Sequence, residues 1–446
     1  MFDCFRPRSK SGASESRVND AWNEGGVPRI SNRARENLTF FSPASEGHAA
    51  YGRNKYSATN PGGIVNLALA ENRLMHAEVC EKMNSGIFRV DQEHLPYGDM
   101  TGSGEIKSAI ASLFNRKLNP HSPVEPRHVV TGNGATTMIS AIGQIVCDDG
   151  ESILIPAPAY QSFQRDFVML SRVNLVYVTG LDGLPSVEQL DDAYKSSPTP
   201  AKALLICNPN NPTGQLIPPG VIRAWLKWAK MRGIHIIADE VYMFSVWDDG
   251  KEFESVLSLN EYDPESMHII WSLSKDFCMS GMRGAAIISK NSDVLAAYDK
   301  IAYYHCLPRS FDVALARMLS DSAWVDAFIE TNNARLRGNF TKAMRLLDSS
   351  KVPYTRPDAG LFLWIDLSCC IPMDTSDKTE AVMGLFRRLL KKGVFIMPGN
   401  CFFADQDLMG QTGRFRMIVS SPWEQVQLAL ERLSEVVHDS RSEWVL

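Results

Sequence analysis

Four short polar clusters in this chain could each do chemistry, and each follows an apolar run. Lys275 closes Ser272-Leu273-Ser274-Lys275, directly after the run His268–Trp271, and Arg283 follows it. Two hydroxyls, an amine and a guanidinium make a pocket for an anion with a nucleophile inside it. Charge-assisted hydrogen bonds would hold a phosphate there, and the amine could form a Schiff base with a carbonyl. The same residues could equally make a solvated surface turn. Asp239-Glu240-Val241-Tyr242 ends the run Ile234–Ala238. A carboxylate there can keep a pyridine nitrogen protonated, with the Tyr242 hydroxyl facing a ring oxygen; a helix N-cap is the bland alternative. Asn208-Pro209-Asn210-Asn211-Pro212-Thr213-Gly214 follows Ala203–Cys207. It could offer an amide to a phenolic oxygen, or simply form a stiff turn. Thr131-Gly132-Asn133-Gly134-Ala135-Thr136-Thr137 sits where a strand meets a helix. Amides at a helix start suit phosphate, but the segment lacks the Walker lysine and the GxGxxG spacing.

The elements that must position these clusters alternate. Glu105–Leu118 carries Ile106, Ile110, Leu113 and Phe114 on one helical face. Short apolar runs then recur between helices: HVVTG, ESILIPAP, VNLVYVTG, AKALLIC, IHIIA, MHIIWSL and AAIIS. That texture predicts an α/β fold with a large, mostly parallel sheet covered by helices on both faces. Ligands of such sheets sit beyond the carboxyl ends of the strands, where the four clusters fall. Residues 300 to 339 read as one long helical stretch. After them VPYTRPDAGLFLWIDL, GVFIMPG and RFRMIVS read as a smaller sheet, with helices over Thr379–Lys392 and Trp423–His438, a second, smaller α/β domain. The expected division is a loose arm over 1–45, a large domain over 65–315, and a small domain from 46–64 with 316–446.

Bulk properties exclude several classes. The 446 residues carry a formal charge of -5, so no basic excess points to nucleic acid or an anionic membrane. No run approaches the roughly 18 apolar residues of a membrane span. The opening MFDCFRPRSK lacks the apolar segment of a signal peptide. Nine scattered cysteines, without CxxC spacing, suggest reduced thiols rather than disulfides or a zinc site. A cytoplasmic protein without a metal is the expectation. His235 and His305 are expected to be structural.

Taken together, the four clusters meet the needs of one cofactor, pyridoxal 5'-phosphate (PLP). The chain resembles fold-type I PLP enzymes of the class I/II aminotransferase superfamily, and within it the 1-aminocyclopropane-1-carboxylate (ACC) synthase branch. The resemblance spans residues 56 to about 437. It rests on TNPGGIVNLALAENRL, GATT, PAPAYQSFQRD, NPNNPTG, ADEVY, SLSKDF and RFRM. It implies Lys275 as Schiff-base lysine and proton shuttle, and Asp239 as partner of the pyridinium nitrogen. Asn211 and Tyr242 would meet the ring oxygen, and Tyr160 would stack on the ring. Ala135, Thr136, Ser272, Ser274 and Arg283 would hold the phosphate. Arg416 would clamp the substrate α-carboxylate, and Glu71, in LAEN, would stand near the substrate. The expected reaction passes through an external aldimine and a Cα carbanion. Carbon–sulfur cleavage of S-adenosylmethionine or a cysteine S-conjugate comes first, and transamination to a 2-oxo acid second. The resemblance extends to ACC-synthase-like proteins of fungal secondary metabolism, some of which are C–S lyases. It also implies a homodimer with shared active sites and an amino-acid substrate.

Departures from the pattern concern the substrate. Plant ACC synthases have a tyrosine in DYHG that reaches the neighbouring subunit's phosphate. Asp99-Met100-Thr101-Gly102 stands here, and Met100 cannot donate that bond. Tyr97 is the expected substitute, through a shifted loop. Cys278, Met279 and Ser280 replace Gly, Leu and Pro, and Arg414 replaces an aromatic residue.

Overall fold

A computed structural model of the protein describes residues 30–38, 43–180, 183–372, 377–403 and 413–443. A seven-stranded sheet forms the centre, in the order Val129–Gly132, Ala285–Ser289, Met267–Ser272, His235–Asp239, Ala201–Cys207, Ser152–Ala157, Asn174–Thr179. Only Ala285–Ser289 runs antiparallel to its neighbours; the other pairings are parallel. This is the mostly parallel, doubly covered sheet that the apolar runs predict.

Alternation of side chains divides the sheet between two cores. Ala203, Leu205, Ile237 and Ile270 join one core. Leu204, Ile206, Ile236, Ile269 and Trp271 join the other. With both faces covered, these strands need no polar face, and so their sequences are apolar throughout. The helix Gly104–Leu118 starts where the Ser103 hydroxyl accepts the Ile106 amide at 3.2 Å. It buries the face carrying Ile106, Ile110, Leu113 and Phe114. Helix Pro219–Arg232 stops at Gly233, whose φ of 64° lies in the left-handed region that glycine adopts without strain.

A smaller antiparallel sheet comprises Tyr354–Thr355, Phe362–Asp366, Arg414–Ile418 and Met397–Pro398. Val394–Phe395 does not join it. That segment pairs in parallel with Val65–Asn66 and ties the LAEN segment to the C-terminal part of the chain. Another expectation needs correction. Residues 300–339 are not one helical stretch but parts of Ser292–Ile301, Arg309–Ser320 and Ser322–Ser349. Pro308 disfavours helix at Leu307 and starts a new one. Asp321 then caps the last helix by accepting the Trp324 amide at 3.0 Å. Within the supposed loose arm, Asn32–Leu38 is a helix with no buried residue. Residues 1–29 and 39–42 of that arm lie outside the described residues. Among the described residues no helix is long and apolar enough to cross a membrane.

Candidate active site

The strand Met267–Ser272 passes into a single helical turn, Leu273–Asp276, which places Lys275 over the carboxyl edge of the sheet. The Ser272 hydroxyl accepts the Ser274 amide at 3.0 Å and donates to the Gly284 carbonyl at 3.2 Å. Asp276, fully buried, accepts from the Ser245 hydroxyl at 2.7 Å and the Trp271 indole at 3.1 Å. The turn is therefore fixed on both sides. The Lys275 amine donates to the Ala70 carbonyl. Burial, and then the Arg416 charge, brings its pKa down to about 8, while Glu71 pulls it upward. An amine in that condition is partly neutral near physiological pH and can act as a nucleophile or base.

One cavity is walled by Lys275 together with Ala135, Thr136, Tyr160, Asn211, Asp239, Tyr242, Ser272, Ser274 and Arg283. The structure thus gathers every residue that the sequence suggests for the cofactor. The cavity carries groups of both signs. Ala135 and Thr136 begin the helix Ala135–Val146, whose first amides face an anion favourably. Gly134 precedes them with φ of 104°, and a Cβ there would overlap the Arg283 guanidinium. The glycine therefore admits the arginine to the cavity. Asp239, among the side chains of the same cavity wall, is buried and held by the Val241 amide at a long 3.4 Å. Burial pushes its pKa up to about 7, with Lys275 opposing. A cationic ring nitrogen beside it would restore the charged form.

Asn211 divides its amide between two tasks. Its Oδ1 accepts from Arg416 at 2.9 Å, so its nitrogen is the part left for a ring oxygen. Arg416 itself is buried between the Phe362 and Phe402 rings, at 4.9 and 5.1 Å. It also donates to the Ala68 carbonyl, while its Nε has no partner. Tyr160 meets Phe163 edge-to-face at 5.3 Å, and Tyr242 meets Phe362 the same way at 5.3 Å. Burial holds both phenols above their ordinary pKa.

Tyr97 stands apart. It is 85% exposed, pairs with Tyr303 at 6.1 Å, and does not line the cavity of its own chain. The expected role, as substitute for a tyrosine that reaches a neighbouring subunit, concerns the site of a second chain rather than this one. Met100 is half-buried against the core.

Sequence reasoning gave no role to Asp166, Cys207, Ile139, Val241 or Ser280, which also line the cavity. Asp166 follows Gln164 and Arg165 in the sequence, so its acid does not stand out from its neighbours. Away from the cavity, Asp91, Glu93 and His94 bring ligand-type atoms within 4.8 Å of one another. His94 already accepts the Asp91 amide at 3.1 Å, so this group closes a turn.

The model of the family "Aminotransferase class I and II" matches residues 63–433. Among curated relatives, the cattle (Bos taurus) 1-aminocyclopropane-1-carboxylate synthase-like protein 1 is 31% identical, over 92% of this chain and 83% of its own. The probable aminotransferase gliI of Aspergillus fumigatus is 28% identical, over 94% of this chain and 98% of its own. Aspartate aminotransferase from Thermus thermophilus with maleate superposes with a TM-score of 0.76 at 22% identity. It covers 92% of this chain and all of the other.

Proposed function

The chain belongs to the class I and II aminotransferase family, and from that premise we propose that it is a PLP-dependent enzyme acting on an α-amino acid. The observation that carries this reading is the company one cavity keeps: anion donors, a buried acid held by a single long amide bond, and a lysine. A molecule with a phosphate, a basic ring nitrogen and an aldehyde fits that set of groups.

When bound, PLP supplies a ring that accepts the electron pair left at the substrate α-carbon. The chain's own residues do the rest. Arg283, Ser272, Ser274 and the amides of Ala135 and Thr136 hold the phosphate. Asp239 keeps the ring nitrogen protonated. The Asn211 nitrogen and the Tyr242 hydroxyl fix the ring oxygen, and Tyr160 covers one face. Arg416 presents its unpartnered Nε to a carboxylate. Lys275, neutral above a pKa of about 8, takes the proton from the α-carbon and can return it.

The finer proposal is a lyase that cleaves a carbon–sulfur bond in S-adenosylmethionine or a cysteine S-conjugate. Support comes from the LAEN segment, which is drawn into the site. Ala68 and Ala70 offer carbonyls to Arg416 and Lys275, and the Glu71 charge acts on Lys275. A transaminase is the second reading, favoured by similarity to the Aspergillus fumigatus relative. Incubation with S-adenosylmethionine, with an amino donor plus a 2-oxo acid, and with a cysteine S-conjugate separates the readings. Release of methylthioadenosine, or of pyruvate and thiol, supports the lyase; a new amino acid alone refutes it.

We also propose a homodimer. The exposed aromatic side chains of Tyr97, Tyr303 and Tyr304 suit a partner surface, with Tyr97 reaching the other subunit's site. A holo-protein that is monomeric and fully active contradicts this. The division into a cofactor-bearing part, 65–315, and a smaller part, 46–64 with 316–446, is proposed on the separate seven-stranded and four-stranded sheets, with the short pair Val65–Asn66 and Val394–Phe395 crossing between them.

A further inference from the structure

Asp166 is an acid to which neither the family match nor the sequence gives a task. It lies on the helical turn Gln164–Met169 and is 3% exposed. It lines the cofactor cavity together with Asp239 and Arg283. Neither of its carboxylate oxygens has a hydrogen-bond partner. The nearest cation, the Arg165 Nε, is 3.6 Å away on a side chain that is itself half-exposed.

A buried carboxylate without a donor costs more than a neutral unsatisfied group. Structural acids in this protein are not left in that state. Asp276 accepts from an indole and a hydroxyl, and Glu240 accepts from the Ser255 hydroxyl at 2.6 Å and the Val256 amide at 2.9 Å. Asp166 differs from them in one respect: it borders the cavity. Its charge is felt by Tyr160, which covers a ring face in the proposed function, and the charges of Asp239 and Arg283 are felt by Asp166 in turn. Burial pushes its pKa up to about 7, and the nearby Asp239 adds to the rise. Two buried acids in one cavity repel one another's ionised forms, and Lys275 and Arg283 offset this only in part.

We infer that Asp166 is a second acidic support for the cationic nitrogen edge of the bound ring, a positioning residue acting beside Asp239. The inference rests on the PLP reading and extends it. One acid fixes the ring nitrogen's proton, and the other raises the negative potential around the ring, so that binding a pyridinium draws both acids into their ionised forms. The affinity it contributes must therefore depend on the nitrogen itself.

The test compares PLP with 1-deaza-PLP, in which the ring nitrogen is replaced by a carbon, on apoprotein of the wild type and of Asp166→Asn. Binding is read by tryptophan fluorescence quenching and by the change in cofactor absorbance. The expected result is that Asp166→Asn weakens PLP by about tenfold, the scale of one charge-assisted contact, and leaves 1-deaza-PLP unchanged. The apo variant should melt at the same temperature as wild type or higher, because an unpaired buried acid has been removed. Equal loss of both ligands, or loss of neither, overturns the inference while PLP binding by the wild type leaves the proposed function standing. An apo variant that melts lower also overturns it, since Asp166 would then be a structural acid. Wild-type protein that takes up no PLP overturns both.

Discussion

The two edges of the central sheet treat buried polar groups in opposite ways. At the amino edge, His235 and His268 lie on adjacent strands, their ring nitrogens 3.0 Å apart, and His268 reaches the Ser289 hydroxyl at 2.9 Å. Burial holds both imidazoles below their ordinary pKa, so they are neutral and their hydrogen bonds are spent on one another. At the carboxyl edge, Asp239 keeps one long hydrogen bond, Asp166 none, and the Lys275 amine borrows a carbonyl from another segment. A polar group whose bonds are completed within the fold is structural. Groups left incomplete in a shared cavity await a ligand.

Substitutions at the two edges should therefore separate cleanly. Lys275→Ala has the largest expected effect, a loss of at least about 1,000-fold in turnover from removing a nucleophile and base at once. The visible absorbance of the holo-protein should vanish with it, without loss of folded structure by circular dichroism. Asp239→Asn should cost about 100-fold, read as kcat with saturating PLP, because the ring nitrogen loses its counter-charge. Gly134→Ala comes next. Its Cβ displaces Arg283 and its φ of 104° is strained, so PLP affinity should fall by about tenfold, one lost charge-assisted contact. At the other edge, His268→Ala should lower stability by about 1–3 kcal/mol in urea unfolding, because Ser289 and His235 each lose a buried hydrogen-bond partner. Activity per folded molecule should be unchanged; a fall in kcat would erase the distinction between the edges.

The smallest effect concerns pH. Asp166, Asp239, Glu240 and Asp276 are each pushed by burial to about 7, against about 4 for unfolded carboxylates. A raised folded pKa gives stability that is full below the unfolded value and lost as pH rises through the folded one. These acids should thus pull the apoprotein's melting temperature down from pH 4 to pH 7, while the lowered pKa values of His235 and His268 act in the opposite direction over the same window. Lys275 adds no slope there, since its folded pKa is about 8 and it is protonated in both states throughout that window. Loading PLP, which puts a cation beside Asp239, should weaken the downward pull of the acids; an equal slope in apo- and holo-protein would contradict the assignment of that acid.

The sequence made much of this legible for a physical reason. A parallel sheet buried on both faces needs unbroken apolar runs, and its ligand edge needs polar residues where those runs stop, so Asp239, Asn211 and Lys275 stood out against their surroundings. Asp166 and Cys207 did not. One follows Gln164 and Arg165 in a half-polar helical turn and the other ends an apolar strand, so neither interrupts the pattern. The breaks within 300–339 were hidden because Pro308 and Asp321 also occur at the starts of continuous helices.

The most direct measurement of the central claim is borohydride reduction of the PLP-loaded protein, followed by peptide mass spectrometry. A pyridoxyl group on the peptide carrying Lys275, and on no other in comparable yield, is the predicted result. A label spread over surface lysines with Lys275 unmodified would contradict it.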